Sequence, residues 1–277
     1  MYSATTSIKS TPCPNAEQLI RDITWSKAKI DVNLEGTEQP EKEAVANLSL
    51  GGFDVIDDIK KQVEAKCTGI VSCADILALS AHDVVSFSFK TSMWEVETGR
   101  KDGNVSLASE VTSHLPLPDS NISTLLQLFA KKGLNVNDLV TLSGAHTIGV
   151  AHCGTFSRTV FNFSGKGDMD PSPNATYAKD LKDVCPNPVN PATIVDMDPL
   201  SPTSFDSNYF NILINQNKGF QSDAALLSDK DSVIVIKKLQ DDNTFFFEFA
   251  KSMMKMGAIE LLTGNAGQIR KNCRVKN

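Results

Sequence analysis

Apolar residues recur at spacings of three and four along Phe53 to Glu64 (FDVIDDIKKQVE), Cys73 to Phe87 (CADILALSAHDVVSF), Ile122 to Lys132 and Phe245 to Met256. This is the period of a helix that turns one side toward a core. Local signals agree: Ser120 precedes NISTLLQLF, Asn135 and Asp138 open VNDLVTLSGAHTIG, and Gly133 closes the helix before it. Oxygen-bearing side chains satisfy the free N–H groups of a helix start, and glycine accepts the left-handed turn at its end. Period-two runs are few; WEVETGRKD (94–102) is the best strand candidate, while DPSPNAT and CPNPVNPAT are Pro-rich loops. The pattern predicts an all-α fold with very little strand. No internal repeat or low-complexity linker divides the chain, so 1–277 is expected to form one domain of two lobes.

Composition narrows the class. A hydrophobic content of 41% supplies a sizeable core, and 27 basic against 33 acidic residues give a net charge of −6. No Lys/Arg run is dense enough to follow a phosphate backbone, so nucleic acid is not an expected partner. No stretch approaches the roughly 18 consecutive apolar residues of a membrane span. The start, MYSATTSIKSTPCPN, lacks the apolar core of a signal peptide, so no targeting signal is expected in the chain as it stands.

Six cysteines, Cys13, Cys67, Cys73, Cys153, Cys185 and Cys273, form an even set without the CxxC pairs of a zinc site, which favours disulfides. Sequons at Asn47, Asn104, Asn121, Asn162 and Asn174 add the expectation of a glycoprotein made in an oxidising compartment. A mature, truncated or misassigned N-terminus would reconcile these features with the missing leader.

Candidate chemistry centres on LVTLSGAHTIGVAHC (139–153), which sets His146 in an apolar helix after a small Ser-Gly-Ala step. Small residues there would let a flat macrocycle approach the backbone. On spacing alone, a buried hydrogen-bonded histidine is the default reading. A metal cluster of His146, His152 and Cys153 is disfavoured, because helix residues six and seven apart do not converge as a pair at four does.

Several segments together carry a family resemblance. LSGAHTIGVAHC, CPNAEQLIRD, NLSLGGFDVIDDIK, VSCADILALSAHD, GRKDG, FDSNYF, GFQSDAALL and MGAIELLTGNAGQIRKNC resemble the secretory (class III) plant haem peroxidases over nearly the whole chain. The resemblance implies a two-lobed fold with haem b between a distal lobe (about 1–120 plus 240–277) and a proximal lobe (about 121–239). It implies His146 as axial ligand of the haem iron and Asp223, in GFQSD, as its hydrogen-bond partner. A carboxylate that accepts the other ring N–H makes imidazole a stronger donor to oxidised iron. Read from the residues alone, Asp223 serves equally as a cap for the helix at AALL.

By the same resemblance, Thr147, Asp198, Ser201, Ser204 and Asp206 form one calcium site that fixes the segment bearing His146, Ser201 standing where Thr is usual. Hard oxygen donors on a loop suit calcium. The implied disulfides are Cys13 with Cys67, Cys73 with Cys273, and Cys153 with Cys185. Pro116, in HLPLPDS, matches a residue near the exposed haem edge where small phenols dock; Asp119 and Ser120 replace aromatic residues found in some members.

One motif of the family is absent. After Asp22 to Lys29 the family continues with approximately LLRxxFHDCFVxGCDASVLL, but residues 30–50 here contain no His, Arg or Cys. The distal His, distal Arg, the second calcium site and two cysteines are therefore lost. Glu41 and Asn47 match positions that orient the distal His, and remain as remnants of that relay. His82 and His114 are read as ordinary polar residues rather than replacement bases. The expected function is haem-dependent oxidation of phenolic donors by hydrogen peroxide, in peroxide removal and oxidative stress, with impaired turnover. The alternatives are a non-catalytic haem- and calcium-binding pseudo-peroxidase and a glycosylated wall module that binds no haem. The protein is expected to be a monomer, secreted to the cell wall or vacuole.

Overall fold

The computed structural model describes residues 13, 15–27, 41–44, 47, 48, 50–89, 91–171, 174–190, 192–216 and 220–277. Residues 1–12 and most of the segment that stands in place of the distal motif lie outside the described residues. The described chain is mainly helical and divides into two units, Met1–Val111 with Met254–Asn277, and Thr112–Met253.

In the first unit, α1 (Ala16–Lys27) packs on α2 (Phe53–Lys66) and α3 (Cys73–Phe89). Ile20 and Ile23, Ile59 and Val63, and Ile76 and Leu79 bring one side of each helix into a common core. Burial of each such side chain contributes about 1.5–3 kcal/mol. The Cys13–Cys67 disulfide ties the start of α1 to the end of α2.

His82 is a polar residue of α3, and it is buried, with Nδ1 2.9 Å from Asp83 Oδ1 and Nε2 3.0 Å from Ser92 Oγ. Its ring meets Trp94 edge-on at 5.1 Å. Both nitrogens are thus used in structure, as buried polar groups require.

The segment 94–102 does not become a strand. Its backbone is held by side chains instead: the Asp75 carboxylate accepts from the Gly99 N–H at 2.7 Å and the Arg100 N–H at 3.2 Å. Only an isolated bridge, Asp102 to Gln268, resembles a ladder there. Buried Asp102 also accepts from the backbone N–H groups of Cys73 (3.2 Å), Ala74 (2.8 Å) and Arg270 (2.8 Å). With the Cys73–Cys273 disulfide, this carboxylate joins the C-terminal segment to the start of α3. The chain leaves the first unit through α4 (Ala108–His114).

The second unit contains α5 (Ile122–Lys131), α6 (Val136–Ser143), α7 (Cys153–Phe161), α8 (Ala175–Val184), α9 (Asn208–Gln216), α10 (Gln221–Ala225), α11 (Lys230–Lys238) and most of α12 (Asp242–Gly257). Asn121 rather than Ser120 caps α5, accepting from the Thr124 N–H at 2.9 Å, while the Ser120 hydroxyl accepts from the Leu117 N–H at 3.0 Å. Asn135 and Asp138 form a reciprocal capping box at α6, and Gly133 takes a positive φ of 74° after α5.

Phe205, Phe210, Phe245 and Phe249 form an aromatic core with ring centroids 4.9–5.5 Å apart in the contacting pairs. A second cluster, around Phe156, Val160, Tyr177, Leu181 and Phe220, encloses the Cys153–Cys185 disulfide between α7 and α8. The two strands of the described residues, β1 (Val150–His152) and β2 (Ile194–Asp196), pair antiparallel with Val150 opposite Asp196.

Candidate functional site

The backbone around His146 is fixed from both sides. Upstream, the capped helix α6 is anchored by the Ser252 hydroxyl, which donates to Asp138 Oδ1 at 2.9 Å. The α-helix stops at Ser143, and Gly144–Thr147 continues as a 3-10 turn. His146 therefore stands on a tight turn, not inside the helix. Gly144 does not open the backbone to a macrocycle: a Cβ there would lie 2.6 Å from Phe245 and 2.7 Å from Phe210, so its small size serves core packing. Downstream, Gly149 at φ 96° turns the chain into β1. The β1–β2 pairing, with the Met197 N–H donating to Gly149 O at 3.1 Å, returns the loop 197–206 to the His146 turn.

His146 Nδ1 lies 2.8 Å from Asp223 Oδ1. The Asp223 side chain is 3% exposed and that of His146 42%. Asp223 sits in the first turn of α10 and its second oxygen accepts from the Phe220 N–H at 2.9 Å, so it serves as helix cap and histidine partner at once. The Tyr209 hydroxyl, from α9, donates to Asp223 Oδ1 at 2.8 Å. The other ring nitrogen of His146, Nε2, has no hydrogen-bond partner among the described residues.

Electrostatics follow from burial and pairing. Burial disfavours the charged imidazolium, but the charge and hydrogen bond of Asp223 outweigh it and raise the His146 pKa. Burial would push the Asp223 carboxyl up; His146, then Tyr209 and the Phe220 N–H, reverse this and hold it below its ordinary value. Burial first, and the Asp223 charge second, push the Tyr209 phenol well above its usual range.

These shifts set a stability window for haem-free protein. The raised histidine stabilises fully below its ordinary value of about 6.5 and loses that contribution as pH rises through the raised pKa. The lowered carboxylate stabilises above its ordinary value of about 3.8 and loses that as pH falls through the depressed one. Asp223→Asn is expected to flatten the urea-midpoint profile between these limits. It should also cost roughly 1–3 kcal/mol near pH 5.5, because buried donors lose a charged acceptor. An unchanged profile would show that the pair does not couple to folding.

The next residue, Thr147, is fully buried, and its hydroxyl lies 3.5 Å from Ser204 O and 3.3 Å from Asp206 Oδ1. Ser201 Oγ lies 3.1 Å from Asp198 Oδ2 and 3.2 Å from Asp206 Oδ1. The structure thus brings Thr147, Asp198, Ser201, Ser204 and Asp206 into one knot. A hydroxyl has a single hydrogen, so neither Thr147 nor Ser201 can donate to both of its neighbours. The backbone N–H groups of Leu200 and Ser201 also donate to Asp198 and that of Asn208 to Asp206, so the carboxylates are hydrogen-bonded as they stand; it is the kind of donor, hydroxyl, carbonyl and carboxylate oxygen on one loop, that fits a hard cation. Among the described residues no group of three or more His, Cys, Asp or Glu could hold a metal; the knot offers hydroxyl and carbonyl oxygens beside two carboxylates.

Sequence reasoning missed Asn208 and Tyr209. The Asn208 side chain donates to both Asp198 oxygens at 3.1 Å, and Tyr209 reaches Asp223. Their clue was FDSNYF, where Asn208 and Tyr209 come shortly after Asp206. Pro116 is exposed in the loop after α4, and the exposed Asp119 side chain lies 3.6 Å from the Arg158 guanidinium. In the first unit, Asn47 Nδ2 donates to the Glu41 backbone carbonyl at 2.8 Å, a side-chain-to-backbone bond between the two residues.

A protein-family model described as Peroxidase matches residues 29–242. Among curated proteins, this chain is 46% identical to Peroxidase 24 of Arabidopsis thaliana, over 96% of this chain and 85% of the relative. It is 41% identical to Peroxidase 3 of the same plant (96% and 89%) and 39% identical to Peroxidase 15 of Ipomoea batatas (97% and 91%). The alignment with Peroxidase 24 runs over 297 positions against the 277 residues of this chain, so at least 20 positions of that relative have no counterpart here. Matches of this identity and coverage, on a chain that presents a histidine–carboxylate pair beside an oxygen-rich knot, place it in the peroxidase family of secreted plant haem enzymes.

Proposed function

We propose that this chain binds haem b through His146 and one calcium ion through Thr147, Asp198, Ser201, Ser204 and Asp206. In this reading it reacts with hydrogen peroxide and small phenolic donors only slowly, and functions outside the cytosol. The observation that carries the reading is the His146–Asp223 pair, with Nδ1 engaged at 2.8 Å and Nε2 open. That arrangement fixes the tautomer: Nδ1 holds the proton toward the carboxylate, so the Nε2 lone pair is free for iron. Haem, when bound, supplies an iron that exchanges electrons with peroxide and donor.

The protein's own groups do the rest. Asp223 orients the ring and raises its basicity, and the oxygen knot at Thr147 fixes the turn one residue away. Three disulfides support a compartment where thiols oxidise. No described helix is long and apolar enough to cross a membrane. Slow turnover rests on the sequence of 30–50, which offers no His or Arg to move the peroxide proton or stabilise the departing oxygen.

The test is titration of oxidatively folded protein with haemin, followed by absorbance. A saturable ferric haem band in the native chain, lost in His146→Ala, is the expected result. No band in the native chain, or an equal band in both, would overturn the assignment.

A further inference from the structure

We infer that Tyr209 tunes the iron-binding strength of His146 through Asp223, acting as a positioning residue that restrains the basicity of the imidazole. This rests on the proposed role of His146 as haem ligand. Two donors converge on a single carboxylate oxygen: His146 Nδ1 at 2.8 Å and the Tyr209 hydroxyl at 2.8 Å both meet Asp223 Oδ1. The other oxygen is taken by the Phe220 N–H at 2.9 Å. A carboxylate oxygen has lone pairs for both donors, but each hydrogen bond it accepts lowers the electron density it offers the other.

The Tyr209 side chain has little freedom to leave. It is 1% exposed, its ring stands edge-on to His146 at 6.0 Å and to Phe210 at 5.0 Å, and α9 fixes its backbone. Burial and the Asp223 charge oppose ionisation of the phenol, which keeps its O–H as a donor to Asp223. Nothing in haem ligation requires a second donor on this oxygen. Phenylalanine would fill the same space, as Phe210 does at the next position. The hydroxyl therefore has an electronic consequence that packing does not supply: it weakens the His146–Asp223 bond and keeps the ring from becoming imidazolate-like. Removing it should let Asp223 draw the Nδ1 proton more strongly, make Nε2 a better donor, and favour ferric over ferrous iron.

The experiment compares haem-loaded native protein, Tyr209→Phe and Asp223→Asn by spectroelectrochemical titration and by the iron–histidine stretch in resonance Raman spectra. Tyr209→Phe is expected to favour the ferric form about tenfold, a shift of roughly 59 mV to more negative potential for one electron, and to raise the stretching frequency. Asp223→Asn should move both in the opposite direction. A second readout needs no haem: the His146 Nδ1 proton of haem-free protein should move downfield in Tyr209→Phe as its bond to Asp223 shortens.

An unchanged potential and an unchanged proton shift in Tyr209→Phe would overturn the inference. So would a shift to more positive potential, which would mean that the hydroxyl merely holds Asp223 in place. If the native chain takes up no haem, the ligand reading fails; the proton shift then decides separately whether Tyr209 restrains the His146–Asp223 bond.

Discussion

Haem-loaded protein is expected to oxidise guaiacol with hydrogen peroxide about 10² to 10⁴ times more slowly than a relative that carries the distal His and Arg, assayed side by side. The magnitude comes from the chemistry left undone. Peroxide must lose a proton from the oxygen that attacks and gain one on the oxygen that departs, and a positioned base that moves it is worth about 10² to 10⁴. A cation at the developing negative charge adds a comparable factor in other enzymes, although two groups acting in one step do not multiply cleanly. The sequence from 30 to 50 contains no His or Arg, and His82, the buried histidine of the first unit, has both nitrogens engaged.

The pH profile carries a second signature. With no protein base to remove the proton, the peroxide must ionise in solution, and the rate should climb with pH in proportion to the hydroperoxide anion. A plateau with an apparent pKa near neutrality, or a rate equal to that of the relative, would show that another group has taken over the task.

The next largest effect concerns stability. Replacing Cys73 and Cys273 together by serine is expected to lower the unfolding free energy by roughly 5 kcal/mol, because the bridge closes a loop of 200 residues and removes that much disorder from the unfolded chain. Small proteins have only about 5–15 kcal/mol in total. The double variant should therefore unfold at a much lower urea concentration, or fail to fold at 37 °C. The Asp102 carboxylate, with its three backbone N–H partners, should still dock the tail transiently. A midpoint within about 1 kcal/mol of native would mean that these hydrogen bonds already confine the unfolded ensemble, and that the chain-entropy argument fails here.

Legibility in the sequence followed the range of the interactions. The helices over Phe53–Lys66, Cys73–Phe89, Ile122–Lys131 and Asp242–Gly257 were visible because their apolar period and caps are local. The strand expected at 94–102 failed because the remote Asp75 carboxylate takes up the Gly99 and Arg100 N–H groups, and the segment pairs with other backbone only at the isolated Asp102–Gln268 bridge. The two real strands are three residues long, too short for a period of two to show. At the site, the resemblance named His146 and Asp223, yet periodicity made the histidine helical. Gly144 was read as open space when two phenylalanine rings occupy that side. Tyr209 escaped notice because its partner lies 14 residues away on a different helix, a pairing that no local pattern encodes.

The discontinuous first unit also constrains how the protein is made. Residues 254–277 complete that unit, and among them is Cys273, the partner of Cys73 across 200 residues. At roughly 5–20 residues per second of translation, Cys73 waits roughly 10–40 s for Cys273 to be synthesised. Cys67 and Cys185 follow their partners Cys13 and Cys153 after only 54 and 32 residues. Throughout that interval Cys73 is a nascent thiol with nothing native to bond to. A truncation that removed Cys273 would leave it so permanently, open to mispairing with Cys13, Cys67, Cys153 or Cys185.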